Sequence, residues 1–270
     1  MIGKTKKMAR TLVKKCGYEI VRSNTPVSHF HSNRYLRFNS RRLEHLASLR
    51  ILVAGMSVLE VGAGIGDHSH YYKDRACKIT ITEARFENLQ YLRNRYPGCN
   101  VQFLDMERPT YIDGSPFDVV HCYGIVHHLG NPEQALEFIS RNTVRILFLE
   151  TRVSFGKNEK RNIVREPQSD PTQAYSGIGC RPTRPWLFNQ LQGLFEYVYL
   201  PKTQPNHEEF PIDWNTPNKH LAGSQSAIFI ASRDRIENEL LAQSLINKQE
   251  RRSGLLGQET RIHKWKIALG

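Results

Sequence analysis

Three acids at the ends of successive strand-like runs are the residues of this 270-residue chain best placed to do chemistry, and the first stands before a ladder of glycines. Val58-Leu59-Glu60-Val61 has strand character and breaks into Gly62, Gly64 and Gly66. Glycine accepts φ > 0 and, lacking a side chain, lets the backbone approach a ligand. A strand feeding such a loop and then a helix aims free N–H groups at whatever is bound. In dinucleotide-binding turns the glycines run G-x-G-x-x-G and cradle a pyrophosphate. Here the order is Glu-x-Gly-x-Gly-x-Gly, and a carboxylate in the strand's last turn repels a pyrophosphate but suits a cationic ligand. Lys78 to Glu83 alternates like a strand. Its terminal Glu83 lies about 20 residues past the glycines, the offset at which an acid takes ribose hydroxyls. Val101-Gln102-Phe103-Leu104 ends in Asp105-Met106. Any one of these acids would pass for a solvated helix cap. Three at successive strand ends mark the edge where α/β sheets bind ligands.

The stretch Val58 to His68 resembles the first motif of class I S-adenosylmethionine-dependent methyltransferases. The resemblance spans residues 55–152. Asp105-Met106 is similar to the family's adenine position, an acid accepting from the exocyclic amine beside an apolar neighbour against the ring. Phe117 to Leu129 resembles the fourth motif, with the His127-His128-Leu129 ending common in that superfamily. The resemblance implies S-adenosyl-L-methionine as cofactor, with Glu60, Gly62, Ala63, Gly64, Gly66, Glu83, Asp105, Met106 and Tyr123 lining its site. It implies a doubly wound, Rossmann-like α/β fold with a seven-stranded, mostly parallel sheet closed by an antiparallel edge strand.

Methyl transfer from a sulfonium is an in-line displacement, so the protein's task is to hold the acceptor in near-attack geometry. A hydroxyl acceptor also needs a general base, whereas an amine or thiolate needs less help. Bases belong at the ends of the fourth and fifth strands or in the lids, which nominates Tyr123, His127, His128, Glu150, His207, Glu208 and Glu209. The His-His-Leu turn recurs in relatives with different acceptors, which favours capping and packing over proton transfer, above all for His128. Asn206-His207-Glu208-Glu209, flanked by prolines, is costly to order unless it faces something. His207 or Glu208 is therefore the expected base, with His127 and Glu150 beside it. Histidine and glutamate with Glu150 would also suit Mg²⁺, although their spacing is not diagnostic, and no metal is expected.

These residues need elements to hold them. Strand patterns at 57–61, 78–82, 100–104, 117–122 and 144–150 alternate with helical patterns at about 66–74, 85–95 and 132–141, which predicts a parallel sheet with helices on both faces. Asn131-Pro132 starts a helix, and Thr183 caps another. The expected organisation is a basic extension (1–32), a methyltransferase domain (33–234, core 55–152) with lids at 152–182 and 201–223, and a C-terminal polar helix (235–251) and tail (to 270). An amphipathic helix over about 33–52 precedes the core, and a short basic helix is expected at 4–16.

The composition is that of a folded protein, with 39% hydrophobic residues and no apolar run of bilayer length. Cys16, Cys77, Cys99, Cys122 and Cys180 form no CxxC pair, which reads as reduced thiols in a cytoplasmic protein. No signal peptide is evident. The net charge of +12 invites an anionic partner, and the lysines and arginines of residues 1–22 suit an anionic surface, peripheral to a membrane. The expected acceptor is a hydroxyl of a small molecule or glycan; "KKCGYEIVR" and the region from "GCRPTRPW" to "NHEEFPIDW" resemble methyltransferases of bacterial surface-polysaccharide clusters. The alternatives are an RNA methyltransferase tracking phosphates with its basic N-terminus, which lacks any recognised RNA-binding module, and a non-catalytic cofactor-binding relative.

Overall fold

The structure, a computed structural model, describes residues 8, 11–16, 26–170, 172–216 and 225–251. Residues 11–15 are helical, and residues 1–7, 9–10 and 17–25 of the basic stretch lie outside the described residues, as does the tail from 252.

Two helices precede the sheet, α1 (Pro26–Phe30) and α2 (Asn33–Ser48). Ser32 caps α2 by accepting from the Tyr35 N–H, which satisfies one of the free donors of the first turn. Strands β1 (Ser57–Glu60), β2 (Lys78–Glu83), β3 (Asn100–Phe103), β4 (Phe117–Tyr123) and β5 (Thr143–Arg152) follow. They are joined through α3 (Ser69–Lys73), α4 (Phe86–Arg95) and α5 (Pro132–Arg141). β4 leads into a single 3₁₀ turn, Val126–His128. A small antiparallel hairpin, β6 (Ile163–Arg165) and β7 (Ile178–Cys180), occupies the first lid. Then come α6 (Arg184–Gln192), β8 (Tyr197–Pro201), β9 (Thr203–Gln204), β10 (Ser226–Ser232), β11 (Leu241–Ala242) and β12 (Glu250–Arg251).

The main sheet runs β11-β8-β10-β5-β4-β1-β2-β3. Its five strands from β5 to β3 are parallel, and β10 lies antiparallel between β5 and β8. Apolar residues on both faces of these strands pack into two clusters, one per face. The chain turns one way from β1 to β2 and returns on the other side at β4. The crevice of an open α/β sheet opens at such a switch point, beyond the strands' carboxyl ends. The loops after β1 and β4 therefore face each other across it.

The sheet has eight strands among the described residues, one more than expected, because 235–251 is not a helix. That segment is extended, with β11 pairing to the outer edge of β8 and β12 to β9. Tertiary hydrogen bonds override its helix propensity. Asn238 donates to the Leu49 carbonyl at 2.7 Å, and Gln249 Oε1 accepts from Trp214 Nε1 at 2.7 Å while its Nε2 reaches the Pro201 carbonyl at 2.6 Å. The strand also covers a sheet edge that would otherwise present unpaired backbone.

Candidate active site

The loop after β1 is shaped by its glycines. Gly62 has φ +64°, and a Cβ there would lie 2.0 Å from Ile125 Cδ1 in the loop after β4. At Gly66, φ +80°, a Cβ would strike Tyr96 and Leu92, so this glycine lets α4 close on the loop. The Tyr96 hydroxyl donates to the Gly66 carbonyl at 2.6 Å. Glu83, at the end of β2, accepts from the Gly64 N–H at 2.8 Å and from the Ala84 and Arg85 N–H groups at 2.9 and 2.8 Å. Burial pushes its carboxyl up, against the pull of those donors.

A cavity opens over these loops. Gly62, Gly64, Glu83, Asp105, Met106 and Tyr123 all line it, together with Phe30 and Tyr35 from α1 and α2. Asp105 uses one oxygen to accept from the Glu107 N–H. The Tyr123 hydroxyl is buried and has no hydrogen-bond partner among the described residues. Behind Tyr123, the His121 ring lies 4.2 Å away, and His121 links His68 and Tyr72 through its two nitrogens at 3.1 and 2.9 Å. Burial lowers His121 to about 3 and takes His68 well below the ordinary value, so the network is neutral.

Glu60, Ala63 and Gly66 do not line the cavity. Glu60 is buried beneath the loop, where its Oε2 accepts from Ser69 Oγ, and burial raises its carboxyl to about 8. It braces the loop from below instead of facing a cation. The Ala63 N–H donates to the Thr82 carbonyl, tying the loop to β2.

A second, polar cavity of about 360 Å³ adjoins the first. Five residues line both: Tyr35, Gly124, His128, Thr172 and Gln173. Its walls include Arg34, Arg152, His127 and Glu209. Arg34 donates to Glu209 Oε1 at 2.6 Å. The Arg152 guanidinium makes no hydrogen bond among the described residues and approaches only Glu209 Oε2, at 3.9 Å. Burial lowers its pKa. Glu209 Oε2 is itself buried without a hydrogen bond, so donor and acceptor capacity both remain for a ligand.

The expected bases fall in different places. His207 is buried against Phe38 and Phe210, and its Nδ1 accepts from the Glu209 N–H at 3.2 Å. Glu208 pairs with Arg37 on the surface. Neither lines the two cavities, because Arg34 and Arg37, one turn apart on α2, hold the acids of this loop. Glu150 is fully buried, pairs with Arg42 and lines neither cavity. Among the described residues no group of three or more His, Cys, Asp and Glu could hold a metal ion. His127 does reach the second cavity. Its Nδ1 accepts from the Arg152 N–H at 3.3 Å, and burial holds the ring well below its ordinary pKa. A neutral imidazole that accepts at Nδ1 carries its proton on Nε2, so His127 offers a donor and not a base.

His128 has the opposite tautomer. Its Nδ1 lies 2.5 Å from Glu166 Oε2. Glu166 also takes Arg181 Nη2 at 2.7 Å and the Ala174 N–H at 2.7 Å. Burial would raise the Glu166 carboxyl, but His128, Arg181 and Ala174 bring it down to about 2. Burial keeps His128 below its ordinary value against the pull of Glu166. A neutral ring donating from Nδ1 leaves the Nε2 lone pair free, and this ring stands where the two cavities meet. Glu166 lies in the first lid, 38 residues from His128, and no periodicity or motif in the sequence joins them. Arg152 and Tyr35 likewise carry no motif.

Residues 58–145 match the family model for a methyltransferase domain. The N-terminal domain of EvdMO1, crystallised with S-adenosylhomocysteine and D-fucose, is similar in structure, with a TM-score of 0.55, 17% identity, and coverage of 75% of this chain and 84% of that one. An S-adenosylmethionine-dependent methyltransferase from Mesorhizobium loti gives a TM-score of 0.51 at 13% identity, covering 73% of this chain and 100% of that chain. These likenesses establish the fold. No curated protein matches the chain.

Proposed function

We propose that this chain, whose residues 58–145 form a methyltransferase domain, transfers a methyl group from S-adenosylmethionine to a hydroxyl of a small, oxygen-rich acceptor such as a sugar. The observation that carries this reading is the placement of His128: its Nδ1 is held by Glu166 and its ring lines both cavities.

The cofactor supplies an electrophilic methyl group when bound. Glu83 lines the cavity as the residue for the ribose hydroxyls, Asp105 spends one oxygen on the Glu107 N–H and would take the adenine amine with Met106 at the ring, and the Tyr123 hydroxyl supplies a buried donor. His128 receives the acceptor's proton on Nε2, and the resulting imidazolium is stabilised by the Glu166 carboxylate through Nδ1–H. A positioned base of this kind contributes about 10²–10⁴-fold. His127, as an Nε2–H donor, and Arg152 orient the acceptor's oxygens, and Glu209 Oε2 accepts from a further hydroxyl. A cavity furnished with paired donors and acceptors suits a polyol more than an apolar ring.

The test is transfer from methyl-labelled S-adenosylmethionine to a panel of monosaccharides, glycans and total RNA. Label in a sugar or glycan hydroxyl is the expected result. Label confined to RNA, or to an amine, overturns the acceptor assignment.

A further inference from the structure

A third cavity, of about 300 Å³, shares no lining residue with the other two. Its floor is Arg184, the first residue of α6, and Trp214. Arg184 of the "GCRPTRPW" segment and Trp214 of the "NHEEFPIDW" segment, neither of which lines the other two cavities, thus meet here. Lys157, Asn215 and Asn247 stand on the rim.

Arg184 is only 4% exposed. Its Nη2 donates to the Ile246 carbonyl at 2.6 Å, and its guanidinium carbon lies 4.2 Å from the centre of the Trp214 ring. Its Nε is buried without a partner, and among the described residues no carboxylate pairs with it. Burial alone lowers its pKa, to about 9. A desolvated cation without a counter-ion costs several kcal/mol in real proteins, and buried charges are paired as a rule. The start of α6 adds the positive end of a nine-residue helix. Lys157 is exposed and makes no ion pair among the described residues. No carboxylate among the residues lining this cavity offsets these two cations.

We propose that this cavity binds the phosphate group of a small soluble ligand, with Arg184 as its buried counter-ion and Lys157 and the two asparagines closing over it. A phosphate fits better than a carboxylate because a guanidinium, an ammonium and the Asn247 amide offer more donors than two oxygens accept, the Asn215 amide already donating to Asp213 Oδ1 at 3.2 Å. Trp214 and Phe155, whose rings lie 5.3 Å apart, leave an apolar wall for the group that the phosphate esterifies.

The test is thermal unfolding and intrinsic tryptophan fluorescence of the full chain, titrated with inorganic phosphate, a sugar phosphomonoester and acetate at matched ionic strength. Phosphate and the phosphomonoester should raise Tm in a saturable way, and the ester should bind more tightly if the aromatic wall is used. Acetate should not. Arg184→Met, of similar volume, should abolish the response, while in chloride it should be as stable as wild type or more so. Exposed Lys157→Gln should weaken phosphate about tenfold, the equivalent of one charge-assisted hydrogen bond, without changing Tm in chloride. The acids outside the described residues are Glu19 and Glu259, and the double variant Glu19→Gln/Glu259→Gln should leave phosphate affinity unchanged. A phosphate response that survives Arg184→Met, an equal response to acetate, or tighter phosphate binding in the double glutamine variant would each overturn the proposal.

Discussion

His128 Nδ1 and Glu166 Oε2 lie 2.5 Å apart, across the boundary between the core sheet and the first lid. In the proposed reaction this contact ties lid order to the basicity of His128. Glu166 also holds Arg181 and the Ala174 N–H, so the same carboxylate that fixes the imidazole tautomer fixes the hairpin above it. A lid that moves away takes the base's orienting partner with it.

Replacing that partner gives the first prediction. Glu166 raises the His128 pKa, and burial lowers it. Glu166→Gln should therefore move the acid limb of kcat to lower pH and lower kcat at neutral pH, because the Nδ1–H loses the carboxylate that stabilises the imidazolium. An unshifted limb would mean that another group titrates.

Arg152 should act on acceptor binding alone. Its guanidinium makes no hydrogen bond among the described residues and lies 3.9 Å from Glu209 Oε2. Arg152→Gln should raise the acceptor KM about tenfold or more, as expected when hydrogen bonds to a charged group are lost, and leave S-adenosylhomocysteine affinity unchanged. A parallel loss of cofactor affinity would place Arg152 in the wrong cavity.

Gly62 is irreplaceable on two counts, its φ of +64° and the 2.0 Å that would separate a Cβ from Ile125 Cδ1. Gly62→Ala should lose measurable S-adenosylhomocysteine binding by calorimetry. Adding Ile125→Ala relieves the clash but not the strained φ, of order 1 kcal/mol or more, so binding should return only in part. Full binding in the single variant would contradict the loop geometry.

Glu60 predicts a pH effect on stability. Its folded pKa, about 8, is raised from 4.5. Below about pH 4.5 both states hold the proton. Above it the unfolded chain ionises while the folded one stays protonated, so Glu60 costs stability progressively from about pH 4.5 to 8. Glu60→Gln should accordingly gain Tm relative to wild type between pH 5 and pH 8. Parallel Tm profiles would show that Glu60 is ionised in the free protein.

Much of the lining of the first cavity was legible because it is local. The glycines, Glu83 and Asp105-Met106 each follow a strand within a few residues, and the parallel sheet then gathers all strand ends at one edge. The second cavity was not. Glu166 reaches His128 through an irregular lid, and the polar cluster 206–209 has its partners, Arg34 and Arg37, about 170 residues earlier on α2. Its charge signalled a partner, but that partner is the protein itself. Residues 235–251 contain strong helix formers, yet the exposed edge of β8 and the side chains of Asn238 and Gln249 hold them extended.

The most direct test of the central claim measures transfer and cofactor binding together in His128→Ala. Single-turnover methyl transfer to the acceptor found by screening should fall by about two to four orders of magnitude, the range for a lost general base, while S-adenosylhomocysteine affinity stays within a few-fold of wild type. Transfer at close to the wild-type rate in this variant would contradict the account and remove His128 from the chemistry.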